Sequence, residues 1–323
     1  MDYTTLGRTE LKVSVAGLGC GGFSRLGLST GGTEASAIAI IHAAMDLGVN
    51  ILDTAAPYGT ESVVGKAIKS VPRDKVVIAT KSSVIRGGER WAPDRVVASL
   101  DNSLRELGID CIDVFQLHAV PPSGYDYVCE VIAPVLLKER DKGKFRFLGI
   151  TETSPNDLEH QMLLRAVSDG IWDVAMVAFH MMNQNTREAV FPATLQHRVG
   201  TLLMFAVRSI FARKDRVAEA MQQLAAEGKV PQSLADDPDP LGFLIHPHGA
   251  TSLTDAAYRY VRHEPGVDVV LFGTGDQAHL RSNIESILRP PLPPADRDRL
   301  KQLFSHLRGV GLVAPPHAGA AAR

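Results

Sequence analysis

Short apolar runs alternate with amphipathic stretches along almost the whole chain, and this rhythm restricts the fold more than any other feature of the sequence. The runs fall at 15–18, 50–52, 76–79, 112–117, 145–150, 174–178, 201–205 and 269–272. Helical patterns follow them at 34–47, 61–68, 93–107, 127–142, 154–167, 187–197, 215–226 and 277–288. In the first helix Ile38, Ile41, Ala44 and Met45 share one face, and in the second Val63, Val64, Ala67 and Ile68 do. Strands that alternate with helices are joined by parallel crossovers. Eight such units in 323 residues, with no reset, predict a (β/α)8 TIM barrel, whose active site lies at the carboxyl ends of the strands. A doubly wound open sheet uses the same apolar strands; strand count and chain length select the barrel.

The rhythm breaks in three places. Residues 1–13 read as a hairpin around Gly7-Arg8-Thr9-Glu10. Residues 228–251, rich in Pro, Asp, His and Gly, read as an insertion near the rim before the last strand, followed by a helix at 253–263. A C-terminal helix at 295–307 precedes a tail, about 310–323, expected to fray. No low-complexity linker divides the chain, so residues 1–323 form one domain in this reading. A net charge of −2 does not point to nucleic acid or an anionic membrane. The cysteines Cys20, Cys111 and Cys129 show no disulfide or zinc spacing. With no signal-peptide pattern at Met1 and no apolar run near ~20 residues, the expectation is a cytoplasmic protein.

Four polar residues stand just after successive strands: Asp53 and Tyr58 in Asn50-Ile-Leu-Asp-Thr-Ala-Ala-Pro-Tyr-Gly59, Lys81 after Val76-Val-Ile-Ala-Thr, and His118 after Asp113-Val-Phe-Gln-Leu. Alone, each has an ordinary reading: a capping carboxylate, a packed turn tyrosine, a solvated lysine, a structural histidine. Together they fall on one face of a barrel and form a chemical set. A free phenol has a pKa of about 10, and a neighbouring ammonium favours the phenolate and lowers it. A buried ammonium needs a partner, which Asp53 supplies. Tyr58 then gives a proton to a carbonyl oxygen or takes one back, and His118 orients that oxygen. Electrons must come from a cofactor, because no side chain supplies hydride.

Other motifs carry less. Gly17-Leu-Gly-Cys-Gly-Gly22 mimics a dinucleotide fingerprint but lacks the acidic ribose partner of a βαβ unit. His246-Pro-His248 has no third ligand nearby, so no metal is expected. Trp91 and Pro121-Pro-Ser-Gly-Tyr125 read either as pocket walls or as packed loop anchors.

From Leu6-Gly-Arg-Thr-Glu-Leu-Lys-Val-Ser14 to Asn283-Ile-Glu-Ser286 the chain resembles the aldo-keto reductase superfamily. The most specific segments are Asn50–Gly65, Ala79-Thr-Lys81, Ser99–Leu107 before Asp113–His118, and Gly143-Lys-Phe-Arg-Phe-Leu-Gly-Ile150. The resemblance implies a (β/α)8 barrel, NADPH-dependent carbonyl reduction and a tetrad of Asp53, Tyr58, Lys81 and His118. It also implies cofactor contacts. Gly21 and Gly22 would admit the nicotinamide end beside Asp53. Thr151 and Glu152 stand where the family usually has Ser-Asn against the carboxamide, and Met176 where it has Gln. Phe205 matches the aromatic that stacks on nicotinamide. Gly273, Thr274, His279, Ser282 and Asn283 match the segment that holds the adenosine phosphate. Members that strongly prefer NADPH usually carry Lys and Arg where this chain has Gly273 and His279. Arg281 either compensates or is a solvated helix arginine, and NADH is possible.

The resulting expectation is an NAD(P)-dependent oxidoreductase acting on a small-molecule aldehyde or ketone, or on the matching alcohol or sugar. The alternative is a nicotinamide-binding regulatory subunit with little turnover. Substrate, direction and oligomeric state are not legible.

Overall fold

The computed structural model describes residues 1–312; of the tail expected to fray from about residue 310, residues 310–312 are instead held, with Leu312 buried and Arg208 bonded to the Gly311 and Leu312 carbonyls, and 313–323 lie outside the described residues. Eight parallel strands close into a barrel: β1 (Ala16–Gly19), β2 (Ile51–Asp53), β3 (Val77–Ser83), β4 (Ile112–Val120), β5 (Phe145–Glu152), β6 (Val174–Ala178), β7 (Gly200–Met204) and β8 (Val269–Phe272). They follow one another around the wall in chain order, and β8 pairs with β1 through Phe272 and Leu18. The TIM barrel expected from the alternation is therefore the fold.

Period-2 alternation divides the strands into two cores. Ile51, Val77, Ala79, Val114, Val174, Met176, Leu202 and Val269 point inward and pack together. Leu52, Ile78, Phe115, Leu117, Ile150, Val177 and Leu203 point outward against the helices. The N-terminal hairpin, Tyr3–Thr5 paired with Lys12–Ser14, closes the amino-terminal end. Its Leu6, Leu11 and Val13 join the inner core. Gly7, at φ +51, packs so tightly on β7 that an added Cβ would lie 2.1 Å from the Gly200 nitrogen.

The outer layer contains α1 (Glu34–Asp46), α2 (Glu61–Ile68), α3 (Pro93–Leu107), α4 (Ala133–Asp141), α5 (Gln161–Ala166), α6 (Phe191–His197), α7 (Lys214–Ala226), α8 (Leu253–Arg262) and α9 (Gln277–Leu288); α10 (Pro294–Phe304) follows. Several boundaries differ from expectation. The segment at 154–167 opens with a 3₁₀ turn, Ser154–Asn156, and is α-helical only from Gln161, where the Asp157 carboxylate caps the amides of Gln161 and Met162 at 2.8 and 2.9 Å. His160 before it is left-handed, at φ 53. Pro192 interrupts the segment at 187–197 into Thr186–Ala189 and Phe191–His197, since it cannot donate to the preceding turn. The larger difference is at the seventh crossover. The helix that packs on β8 and α9 is α8, whereas α7 packs on the short helices Ser209–Ala212 and Gln232–Ala235 of its own loop. The excursion over the rim therefore begins directly after β7, not at residue 228.

Candidate active site

Asp53 ends β2, whereas Lys81 lies inside β3, which runs four residues beyond its expected end. Alternation from Val77 and Ala79 turns Lys81 into the barrel. Its side chain is 0% exposed. Nζ donates to Asp53 Oδ1 and Oδ2 at 2.8 and 2.7 Å and to the Thr54 carbonyl at 2.9 Å. Those three acceptors match the three protons of an ammonium. Burial works against that charge, but Asp53 outweighs it and the amine is held above its ordinary value. Lys81 is thus a buried cation with a dedicated anion, and its Nζ lies 5.2 Å from the centre of the Tyr58 ring.

Tyr58 occupies a short 3₁₀ turn after β2, stopped by Gly59 at φ +69. An added Cβ on Gly21 would lie 2.3 Å from Cε2 of Tyr58, so the loop after β1 forms a floor under the ring that only glycine fits. His118 is aimed by a bulge. Between the pairs Leu117–Ile150 and Val120–Glu152, β4 carries one residue more than β5. Ala119 takes φ 53, and its amide donates to Thr151 Oγ1 at 2.6 Å. The imidazole Nε2 consequently stands 3.5 Å from the Tyr58 hydroxyl, with the rings edge-on. All four residues of the expected tetrad meet at the carboxyl mouth of the barrel.

The electrostatics refine the expectation for Tyr58. Burial raises the phenol above its ordinary value and outweighs the lowering by Lys81. Tyr58 is therefore a protonated donor at neutral pH, with the ammonium placed to stabilise the phenolate once its proton leaves. Burial and the Lys81 charge hold His118 down to about 3, so the imidazole is neutral. Gln116, two residues before His118 and inward-facing, donates to Asp53 Oδ1 at 3.4 Å. Gln116 is not among the residues expected from sequence, although its i−2 relation to His118 in a strand gives it the same inner face.

Most of the residues matched to cofactor contacts lie in three places. Thr151 and Met176 are paired in register on the inner wall, with Met176 part of the apolar core. Phe205 directly follows β7 at φ 71 and is half-buried at the rim. Gly273 and Thr274 lie between β8 and α9, and His279, Ser282 and Asn283 in the first two turns of α9; an added Cβ on Gly273 would lie 3.2 Å from the Gly19 carbonyl of β1. His279 and Arg281 are exposed, and the Asp276 carboxylate caps the helix by accepting from the His279 amide at 2.8 Å.

Glu152 departs from its expected role. Next to inward-facing Thr151 in the same strand, it must face outward. Its buried carboxylate accepts from the Ala178 amide and meets His160 Nδ1, both at 2.7 Å. His160 Nε2 lies 3.1 Å from Asn185 Oδ1 and 3.0 Å from Thr186 Oγ1. Both oxygens of Glu152 are therefore committed to structure rather than to a carboxamide. Nothing in the local sequence marks His160 as the partner, since it reaches Glu152 only through its left-handed backbone.

Trp91 is a loop anchor: its carbonyl accepts from the Tyr127 hydroxyl at 2.7 Å, and the Arg95 guanidinium lies 3.8 Å from its ring centre. His246 is paired with Asp296 at 3.0 Å. Among the described residues, no group of three or more His, Cys, Asp or Glu side chains is placed to hold a metal, and no helix is long and apolar enough to cross a membrane. A groove of about 970 Å³, lined by residues including Lys66, Arg73, Asp110 and Arg146, lies at the amino-terminal end of β3 and β4, away from this chemistry.

Comparison with known proteins places this geometry in a family. The chain is 34% identical over 209 residues to L-galactose dehydrogenase of Arabidopsis thaliana, covering 62% of this chain and 64% of that protein. It is 28% identical over 308 residues to aldo-keto reductase YhdN of Bacillus subtilis, covering 87% of each. Among solved structures, the holo form of aldo-keto reductase AKR11C1 from Bacillus halodurans superposes over 98% of this chain and 99% of that one, with a TM-score of 0.70 at 23% identity. A putative aldo-keto reductase from Pseudomonas aeruginosa covers 88% of this chain and 93% of its own, with a TM-score of 0.64 at 23% identity. These two structures share the fold. Residues 17–304 match the aldo/keto reductase family, and the chain belongs to that family of NAD(P)H-dependent oxidoreductases.

Proposed function

We propose that this chain interconverts a small-molecule aldehyde or ketone and its alcohol, with Tyr58 as general acid in reduction and general base in oxidation. The observation that carries this reading is the buried Lys81–Asp53 ion pair beneath a protonated Tyr58. As the phenol gives up its proton, the Lys81 charge stabilises the phenolate. Asp53 keeps the ammonium in place, and Gln116 steadies Asp53. Neutral His118 presents a ring nitrogen to the same substrate oxygen and orients it. A bound nicotinamide supplies the hydride that no side chain can.

The residues at the mouth fit such a cofactor. Gly22 leaves the backbone bare beside Gly21, Thr151 offers a hydroxyl, Phe205 an aromatic wall, and Thr274, Ser282 and Asn283 polar groups near α9. NADPH is the choice implied by the family. Exposed His279 and the Asp276 carboxylate at the same helix end favour NADH as the alternative. Sugars belong in a substrate panel with aldehydes and ketones, because the Arabidopsis relative is an L-galactose dehydrogenase. The committed Glu152 and apolar Met176 favour the second reading, a nicotinamide sensor with little turnover; the complete proton relay favours catalysis.

The test is Tyr58→Phe, assayed for turnover on that panel and for cofactor binding by nicotinamide fluorescence. The expected result is binding without turnover. Wild-type turnover in the variant refutes the role of Tyr58, and a wild type that binds cofactor but turns over nothing in the panel supports the sensor.

A further inference from the structure

Phe205 holds a backbone conformation that a bulky side chain rarely adopts, φ 71, at the carboxyl end of β7. Such conformers persist where surrounding contacts hold them. One contact on its ring is Arg208, three residues on, whose guanidinium carbon lies 4.1 Å from the ring centre. Arg208 is itself held from another direction: Nη2 donates to the Leu312 carbonyl at 2.6 Å, and Nε to the Gly311 carbonyl at 3.3 Å.

The segment that supplies those carbonyls crosses the loops at the mouth. Gly309 donates to Asn183 Oδ1, after β6, at 2.9 Å. An added Cβ on Gly309 would lie 2.7 Å from Leu158, after β5, and one on Gly311 would lie 3.1 Å from Ile210, after β7. Leu312 is 1% exposed. Residues 309–312 therefore bridge three successive strand ends, and Arg208 connects that bridge to Phe205.

We infer that Arg208 is a positioning residue: clamped by the carbonyls of Gly311 and Leu312, it holds the Phe205 ring in the orientation that receives a nicotinamide. The inference rests on the proposed nicotinamide site and assigns the C-terminal segment a part in cofactor affinity. A cation stacked on one face of an aromatic ring restricts how that ring can turn. The forked guanidinium reaches two carbonyls while remaining over the ring, a geometry an ammonium cannot reproduce.

The experiment is a double-mutant cycle on the dissociation constants of NADH and NADPH, read by nicotinamide fluorescence in the full-length protein. Arg208→Met is expected to weaken binding about 3- to 30-fold, the range of a partly desolvated cation–π contact. Phe205→Leu removes the ring. If Arg208 acts through Phe205, adding Arg208→Met to Phe205→Leu changes affinity less than about twofold. Arg208→Lys, which keeps the charge and stem, retains the fold and gives an intermediate loss; it carries the same cycle if Arg208→Met does not fold. Effects that multiply, or wild-type affinity in Arg208→Met, overturn the inference while leaving the nicotinamide site intact. A wild type that binds neither cofactor overturns both.

Discussion

Replacing Glu152 with alanine removes one carboxylate and leaves two buried groups without their acceptor. The side chain of Glu152 is 0% exposed and that of His160 1%. The lost bond to the Ala178 amide strands a buried N–H, at about 1–3 kcal/mol. Breaking a buried pair by deleting one partner costs about 3–5 kcal/mol. The two losses share one carboxylate and do not add in full, so about 4–6 kcal/mol is expected. Against a usual total of about 5–15 kcal/mol, that leaves a marginal fold. Glu152→Gln is milder, about 1–2 kcal/mol, because its oxygen still accepts from Ala178 and its amide donates to a neutral His160.

The pair also has a pH signature. Burial disfavours the His160 cation, but Glu152 outweighs it and raises the pKa above the ordinary value. The native state therefore binds more protons than the unfolded state between the unfolded pKa, about 6.5, and the folded one. The stabilisation is fully present below pH ~6.5 and is lost as pH rises through the folded value. Urea unfolding followed by tryptophan fluorescence from pH 6 to pH 9 measures it, Trp172 being buried. Wild-type stability should fall with pH relative to Glu152→Gln. Equal midpoints for wild type and Glu152→Ala, or parallel pH profiles for wild type and Glu152→Gln, would refute the ion-pair assignment.

Three further outcomes follow from the same geometry. Lys81→Met should lower kcat at least about 100-fold and destabilise the barrel by stranding Asp53; adding Asp53→Asn should recover the urea midpoint but not the turnover, and recovered turnover would remove Lys81 from the relay. Gly21→Ala forces a methyl to 2.3 Å from the Tyr58 ring, so kcat should drop about 100-fold through a displaced hydroxyl; an unchanged kcat would show that the ring has room to shift. Asp268 is pushed up to about 6 by burial, against bonds from the Thr201 and Gly7 amides. Its folded pKa lies above the unfolded one, so stability is lost as pH rises from about 4 through 6, and Asp268→Asn should flatten that loss in thermal melts at pH 4.5 and pH 7.

The difference between the legible and illegible parts of this site comes down to where strands end. The barrel and the tetrad could be read because each depends on residues close together in sequence: an apolar run, then Asp53, Lys81 or His118. The seventh crossover could not, because α7 and α8 are both amphipathic and only packing on β8 distinguishes them. The expectation for Glu152 failed for a sharper reason. Expected strands ended at residues 79, 117 and 150, whereas β3, β4 and β5 continue to Ser83, Val120 and Glu152. A strand that continues keeps its alternation, so each added residue has an assigned face. Lys81 gains from this, since it becomes an inward-facing barrel residue rather than a solvated rim lysine. Glu152 loses its expected place, because Thr151 takes the inner face and Glu152 the outer one. His118 is the exception in which extension alone does not decide, because the bulge at Ala119 re-aims the strand. The two halves of the site are consequently built differently. The proposed proton-transfer half rests on strand periodicity and one bulge. The proposed cofactor wall depends on a contact distant in sequence, Arg208 with Gly311 and Leu312, and substitution of Arg208 should change cofactor affinity before it changes the proposed proton relay.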